Sequence, residues 1–583
     1  MSPWLSLSTG IRAWSRAVGP HLRSPRINVW RMTTPRLYST NISGHNANSH
    51  EDKNASGGFG KAPLVIAASV ASGSLGYFLS ERNAKRNSSL NVPDSPTFGS
   101  PNDFKSAINE LQASLATESV STDPEDLRHH GFSDNDYHPT LLHSVVVYPQ
   151  STEDVVKIVK IATKYRMPVI PYSGATSLEG HFRGHSVGGI CVDLNHMDKV
   201  LEIHQDDSDL VCQPGAQWMD INNMLKKKGI PLFFPIDPGP GATIGGMLST
   251  GCSGTNAVRY GTAKGEWFLN AASLFIFVLP SGEVIKTRSR SRKSAAGFDI
   301  TKLFIGAEGT LGIVTEVTIR LAPVLATSVA VVQFPDVKSA TAASMEVINQ
   351  GLGIQCVELL DGISMKATNN YGMSTRKWPE KDSLFFKFQG PSAASLKDTA
   401  KAVERIVAKH GGTGFSFART EKEAEDLWMD RKNVYWSALS LIEGCKGMAT
   451  DVCVPVSKLP ELVHQTKKDL EDVGIISSIV GHVGDGNFHA LLLFKTDEEL
   501  AIAQKAASRI VHRAIAMDGT CTGEHGVGIG KKKYLVEELG QGTVDLMKTV
   551  KRAIDPLGLF NPGKLYPESN PPTSKSHSAT STN

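Results

Sequence analysis

The stretch PIDPGPGATIGGMLSTGCSGTNAVRYGT, Pro235 to Thr262, limits what this chain can become. Seven glycines fall in it, at 239, 241, 245, 246, 251, 254 and 261, interleaved with Ser, Thr and Asn. That density disfavours a packed helix, while Ile244, Met247 and Leu248 sit at spacings that a solvent-exposed linker does not need. Glycine lets backbone approach a ligand closely, and successive N–H groups form a concavity for an anion such as pyrophosphate. The stretch reads either as a tightly packed irregular loop or as a ligand cradle, and its small polar residues favour the cradle.

The chain has 583 residues, enough for about two or three domains. Lys+Arg 61 against Asp+Glu 58 gives +3, so the charge balance points to no nucleic acid or polyanion. The seven cysteines are scattered and form no CxxC, which argues against a disulfide framework and against a cysteine-ligated metal. Residues 1–50 contain no acidic residue but carry Arg12, Arg16, Arg23, Arg26, Arg31 and Arg36. This is the composition of a mitochondrial presequence, expected over 1–60 with its spacer. Residues 62–80, APLVIAASVASGSLGYFLS, contain no charge. They read as a marginal membrane anchor or a sorting segment. A linker follows over 81–103, and a Ser/Thr/Pro-rich tail, expected to be disordered, closes the chain at 568–583.

Between these ends the hydrophobic pattern predicts an α+β protein. Helices are expected at Phe104–Leu115, Glu153–Tyr165 and Met219–Lys228, among strands at 143–150, 189–194 and 210–212. A hairpin is expected over 271–287 around Pro280–Glu283, and a strand at Ile313–Leu321. Pro323 marks a boundary between a domain at 104–323 and a second one at 324–520. In the second, strands near 329–334, 384–389 and 448–455 alternate with helices at 337–349, 394–409, 458–473 and 498–517.

The strongest chemical signal is IISSIVGHVGDGNFHALLLF, 475–494. Asp485-Gly486 between two apolar runs is a preferred two-residue hairpin turn. That register sets His482 opposite His489 on one sheet face, as a divalent-metal site needs. Half-buried histidines with local hydrogen bonds are the alternative. Glu524, in GTCTGEHGVGIGKKKYL, is the candidate third ligand, and its neighbour His525 is the candidate general base. Arg431, among aromatics in LWMDRKNVYW, is either a carboxylate-binding guanidinium or a surface arginine stacked on Trp428 or Tyr435. GLFNPGK at 558–564 has P-loop spacing but lacks the Ser/Thr, and GVGIGK at 526–531 follows no βαβ strand, so neither supports a nucleotide fingerprint. A zinc hydrolase built on the hairpin remains a rival reading at this point.

PYSGATSLEGH (171–181), the glycine stretch, IGAEGTLGIVTEV (305–317), GHVGDGNFH (481–489), GEHGVGIGKKKYL (523–535) and DPLGLFNPGKLYP (555–567) together resemble the vanillyl-alcohol oxidase/p-cresol methylhydroxylase flavoprotein family, over roughly 104–567. The resemblance implies a two-part FAD-binding fold, an α+β cap made of an antiparallel sheet covered by helices, and a C-terminal segment (521–567) returning to the flavin. It places the cofactor against Pro171, Ser173, Gly174, Ala175, Thr176 and Ser177. From the glycine stretch it adds Pro238, Gly239, Ala242, Thr243, Gly245, Gly246, Ser253 and Asn256. Glu308, Gly312, Ile313, Val314 and Asn561 complete the set. It implies a divalent metal, zinc or manganese, on His482, His489 and Glu524, with His525 as base and Arg431 on a substrate carboxylate. The turn Ser173-Gly-Ala-Thr176 lacks the histidine of covalent-flavin relatives, so non-covalent FAD is expected. No lysine precedes Asp451-Val452, which favours a monocarboxylate. The implied activity is oxidation of D-lactate or a similar D-2-hydroxy acid, with cytochrome c as acceptor. The expected location is the mitochondrial inner membrane facing the intermembrane space, anchored by 62–80. D-2-hydroxyglutarate or glycolate is the alternative substrate.

Overall fold

The computed structural model describes residues 96–133, 136–265 and 272–568, all within the unit Leu90–Asn583. The expected presequence, the 62–80 segment and all of the tail beyond Glu568 lie outside these residues. Among the described residues no helix is long and apolar enough to cross a membrane.

Three sheets carry the architecture. The first orders its strands Val120–Ser121, Val145–Val147, Ile190–Asp193, Val169–Tyr172. Its last three run parallel, and the helix Thr152–Lys164 makes one crossover. Ser151 caps that helix by accepting the N–H of Asp154 at 3.2 Å, and Lys164 closes its C-terminal end, as the helix dipole favours. The second sheet is antiparallel, in the order Val200–His204, Asp209–Cys212, Ile313–Arg320, Ala272–Val278, Val284–Lys286. The third begins at Ala326, just past the short strand Ala322–Pro323. It is eight-stranded, antiparallel throughout, and has helices on both faces. Against one face pack the helices Val337–Asn349, Ala393–Lys409, Leu459–Val473 and Asp497–Ala516. The C-terminal segment returns to the first sheet, where Val169 bridges Phe560 and donates its N–H to Leu559 O at 2.9 Å.

Four local expectations change. The glycine-rich stretch contains a helix after all, Ile244–Thr250, stopped by Gly251 in the left-handed region (φ 71°). It tolerates Gly245 because a Cβ there would stand 2.6 Å from Pro214 Cβ, so close packing replaces propensity. The strand expected over 448–455 is split into Lys446–Ala449 and Val452–Cys453. Thr450 Oγ1 accepts the N–H of Ala490 at 2.9 Å at the break, and the Asp451 carboxylate turns toward residues 522–525. Strands Val200–His204, Ile354–Leu360 and Thr413–Phe417 were not expected. Ile354–Leu360 is buried at every position, so it shows no alternation to read. Finally, the 481–487 turn is wider than two residues, with consequences for the site.

Candidate active site

Strands Ser477–Gly481 and Asn487–Phe494 pair with Val480 opposite His489. The register is shifted by two residues from the expected one, because Val483–Gly486 form the turn and the neighbouring strand Val452–Cys453 pairs with Phe488 and Asn487. A two-residue shift preserves parity, so the histidines stay on one face. They are diagonal neighbours, with ring centroids 5.4 Å apart. Ile479, Phe488, Ala490 and Leu492 point the other way, into the core. Ser478, Val480, His482, His489 and Leu491 line a cavity of ≈ 640 Å³.

Glu524 reaches both rings. His482 Nε2 lies 3.1 Å and His489 Nε2 3.2 Å from its Oε1. The far nitrogens are held as well. His482 Nδ1 lies 3.0 Å from Glu358 Oε1, and His489 Nδ1 lies 3.0 Å from Thr450 O. Both partners only accept, so both rings carry a proton on Nδ1, and Nε2, which faces Glu524, is the nitrogen that a bound ion would take. Burial would raise the Glu524 carboxyl, but His482 and His489 hold it well below its usual range. His482 is drawn up against its own burial by Glu358 and Glu524. Glu358 is matched by Arg431, and Glu524 is matched by the imidazoles of His482 and His489, whose place opposite the carboxylate a bound cation would take over. Two imidazoles and a carboxylate with donor atoms within 4.8 Å of one another fit a divalent ion.

Arg431 is buried and is not stacked on the surface. Its Nε and Nη2 lie 3.1 and 2.6 Å from Glu358 Oε2, and it borders the cavity. His525 stacks on His489 (5.0 Å, 11°), and its Nδ1 is buried without a partner. Burial pulls its pKa down to about 4, against the opposing pull of Asp451. Asp451 was missed as a functional residue. Its Oδ2 accepts the backbone N–H groups of Glu524 and His525 at 2.9 and 2.8 Å and the Thr522 hydroxyl at 2.7 Å. Glu358 was missed too. A carboxylate within the otherwise apolar run CVELL was the available signal.

The same cavity runs along the glycine stretch. Pro171, Ser173, Gly174, Ala175, Thr176 and Ser177 line it, as do Pro238, Gly239, Ala242, Thr243, Gly245 and Gly246. Thr243 Oγ1 donates to Ser173 Oγ at 2.8 Å and joins the two segments. Glu308, Gly312, Ile313, Val314 and Asn561 complete this wall. Ser253 and Asn256 do not reach it. The Asn256 side chain instead donates to Pro235 O at 2.9 Å and accepts from Gln355 at 2.8 Å, pinning the loop from behind. The Glu308 carboxylate is likewise occupied, accepting the N–H groups of Val527 and Gly528 at 2.6 and 2.8 Å. Three cavity-lining residues that are not glycine have positive φ: Ala175 (51°), Glu308 (53°) and Asn561 (43°). Such strain concentrates where a ligand must be fitted. Ser177 Oγ and Asn561 Oδ1 are buried without partners. An elongated cofactor with polar groups fits this half.

Residues 143–288 match the family described as FAD binding domain, and 325–565 match FAD linked oxidases, C-terminal domain. The chain is 41% identical over 519 residues to "D-lactate dehydrogenase [cytochrome], mitochondrial" of Arabidopsis thaliana, covering 87% of this chain and 90% of that protein. The chain belongs to the FAD-linked oxidases. This FAD-linked oxidase is also 41% identical to "D-lactate dehydrogenase [cytochrome] 1, mitochondrial" of Saccharomyces cerevisiae, with 82% of each chain covered. Its fold resembles that of p-cresol methylhydroxylase with substrate bound (TM-score 0.66, 16% identity, 81% of this chain and 98% of that one). Family membership removes the hydrolase reading, and FAD is the cofactor that the long cavity accommodates.

Proposed function

We propose that this FAD-linked oxidase converts D-lactate to pyruvate and passes the electrons to cytochrome c. The observation that carries the reading is the opening of the glycine-lined half and the His482/His489/Glu524 cluster into one cavity. Bound FAD supplies the acceptor for the C2 hydride. A divalent ion, zinc or manganese, supplies Lewis acidity at the substrate hydroxyl. His482, His489 and Glu524 would hold that ion. Arg431, anchored by Glu358 on two nitrogens, offers Nη1 to the substrate carboxylate. His525, which lines the cavity, is neutral at physiological pH and takes the hydroxyl proton. Ile313, Val314, Val480 and Leu491 keep the reacting end of the cavity apolar.

The relatives at 39–41% identity are D-lactate dehydrogenases by name, which supports lactate over glycolate and D-2-hydroxyglutarate. The Ala449-Thr-Asp-Val452 segment, with no lysine, agrees with a monocarboxylate. FAD is held non-covalently, so acid precipitation releases it. The mature protein resides in mitochondria, at the inner membrane facing the intermembrane space, with 62–80 as its attachment; protease protection in isolated mitochondria checks this.

The test is direct. Purified protein is expected to be yellow, to reduce cytochrome c with D-lactate, and to lose that activity, but not its flavin, to a chelator. Re-addition of zinc or manganese is expected to restore it. Higher kcat/KM on D-2-hydroxyglutarate or glycolate would sink the substrate assignment, and a colourless protein would sink the whole reading.

A further inference from the structure

Glu358 stands between two functions. The register Leu359↔Gly481 and Leu360↔Val480, carried one step further, sets Glu358 across from His482. Its carboxylate is 1% exposed and is shared. His482 Nδ1 lies 3.0 Å from both oxygens, and Oε2 also accepts Nε and Nη2 of Arg431 at 3.1 and 2.6 Å, which leaves Oε1 to His482 alone. One carboxylate thus fixes the tautomer of a metal-cluster histidine and the orientation of the guanidinium that faces the substrate. The three residues come from separate places in the chain, 73 residues apart for Arg431 and 124 for His482. Among the described residues, Arg431 Nε and His482 Nδ1 hydrogen-bond to Glu358 alone.

We infer that Glu358 is the positioning residue that locks the metal subsite and the substrate-carboxylate subsite into one geometry. It touches neither substrate nor cofactor and acts only through Arg431 and His482. Its Nδ1–H acceptor role keeps the His482 Nε2 lone pair directed at the cluster, and outer partners of this kind are worth about 10–100-fold in metal affinity. Its second oxygen leaves Arg431 with Nη1 free. The inference rests on the metal-dependent reading of the site.

Two substitutions separate the roles. Glu358→Leu keeps approximate volume and removes both acceptors. Glu358→Gln keeps an amide oxygen for His482 Nδ1–H but presents an N–H group to the guanidinium. Flavin-loaded protein, stripped of metal by chelation, is titrated with Zn²⁺ against a colorimetric chelator, with no turnover involved. Flavin content and Tm report folding. Leu is expected to weaken zinc binding by about 10–100-fold and to raise the KM for D-lactate. Gln is expected to recover most of the zinc affinity while its KM stays raised and its kcat at saturating metal stays near that of the parent. A purely structural role would move both readouts together with Tm. Parent-like zinc affinity in the Leu variant at unchanged flavin content overturns the inference alone. A parent protein that binds no divalent ion overturns the metal reading and the inference with it.

Discussion

Asp451 Oδ2 accepts the backbone N–H of His525 at 2.8 Å, so the candidate base is held in place by a buried carboxylate from the break between two strands. Burial alone would raise Asp451, but His525, Lys531 and His489 hold it well below the usual carboxyl range. Lys531 lies 3.5 Å from Asp451 and 3.1 Å from Glu179. Asp451→Ala leaves two backbone N–H groups and part of the Lys531 charge uncompensated. We expect a loss of about 3–5 kcal/mol in urea unfolding, together with a fall in kcat. An unchanged midpoint would show that the network is not structural.

His525→Gln is expected to lower kcat by about 10²–10⁴-fold while zinc binding and flavin content persist. The base must be neutral to accept a proton. Its folded pKa of about 4 lies below the ordinary 6.5, so protonation occurs only as pH falls toward 4. The parent kcat should therefore show no acid limb from this group between pH 5.5 and 7.5. A limb near pH 6.5 that disappears in the Gln variant would contradict the assignment.

Gly174 marks the joint of the cofactor cradle. A Cβ added there would collide with Gly241 O and stand 3.3 Å from the Thr243 side chain. Gly174→Val is expected to separate the two cradle segments and yield protein with little flavin, read from the absorbance ratio after gel filtration. Full flavin occupancy would place the cofactor elsewhere.

Lys564 is buried at 2% exposure, and burial brings its pKa down to about 7. The unfolded chain keeps the ordinary 10.5, so the folded state disfavours this charge. The penalty is absent above pH 10.5, grows as pH falls, and is complete below pH 7. Lys564→Met is thus expected to raise Tm most below pH 7, with the gain shrinking toward pH 10. A gain that grows with pH would refute the burial argument.

The site was legible where neighbours in sequence carry the chemistry. The histidine hairpin, Glu524-His525 and the glycine stretch each announce themselves within a single short run of chain. The hairpin register was misread because pairing with Val452–Cys453 overrides local turn preference. The same-face inference survived only because the shift was even. Asn256 looked like cradle, yet its side chain faces Pro235 and Gln355, an orientation that composition does not encode.

By itself the sequence determined the α+β class through its hydrophobic pattern and the flavin family through the motifs that resemble it, and it offered the residue types for a metal and a base. Tertiary structure alone decided the second tier. Asp451 and Lys531 are unremarkable in sequence, Glu358 is marked only by its apolar neighbours, and each acquires its role from partners far along the chain. A buried carboxylate is costly unless it is paired, and only the packed fold reveals the pair. Arg431 is the plainest case: a residue that read equally well as a surface cation sits in the protein's interior because Glu358 is there to receive it.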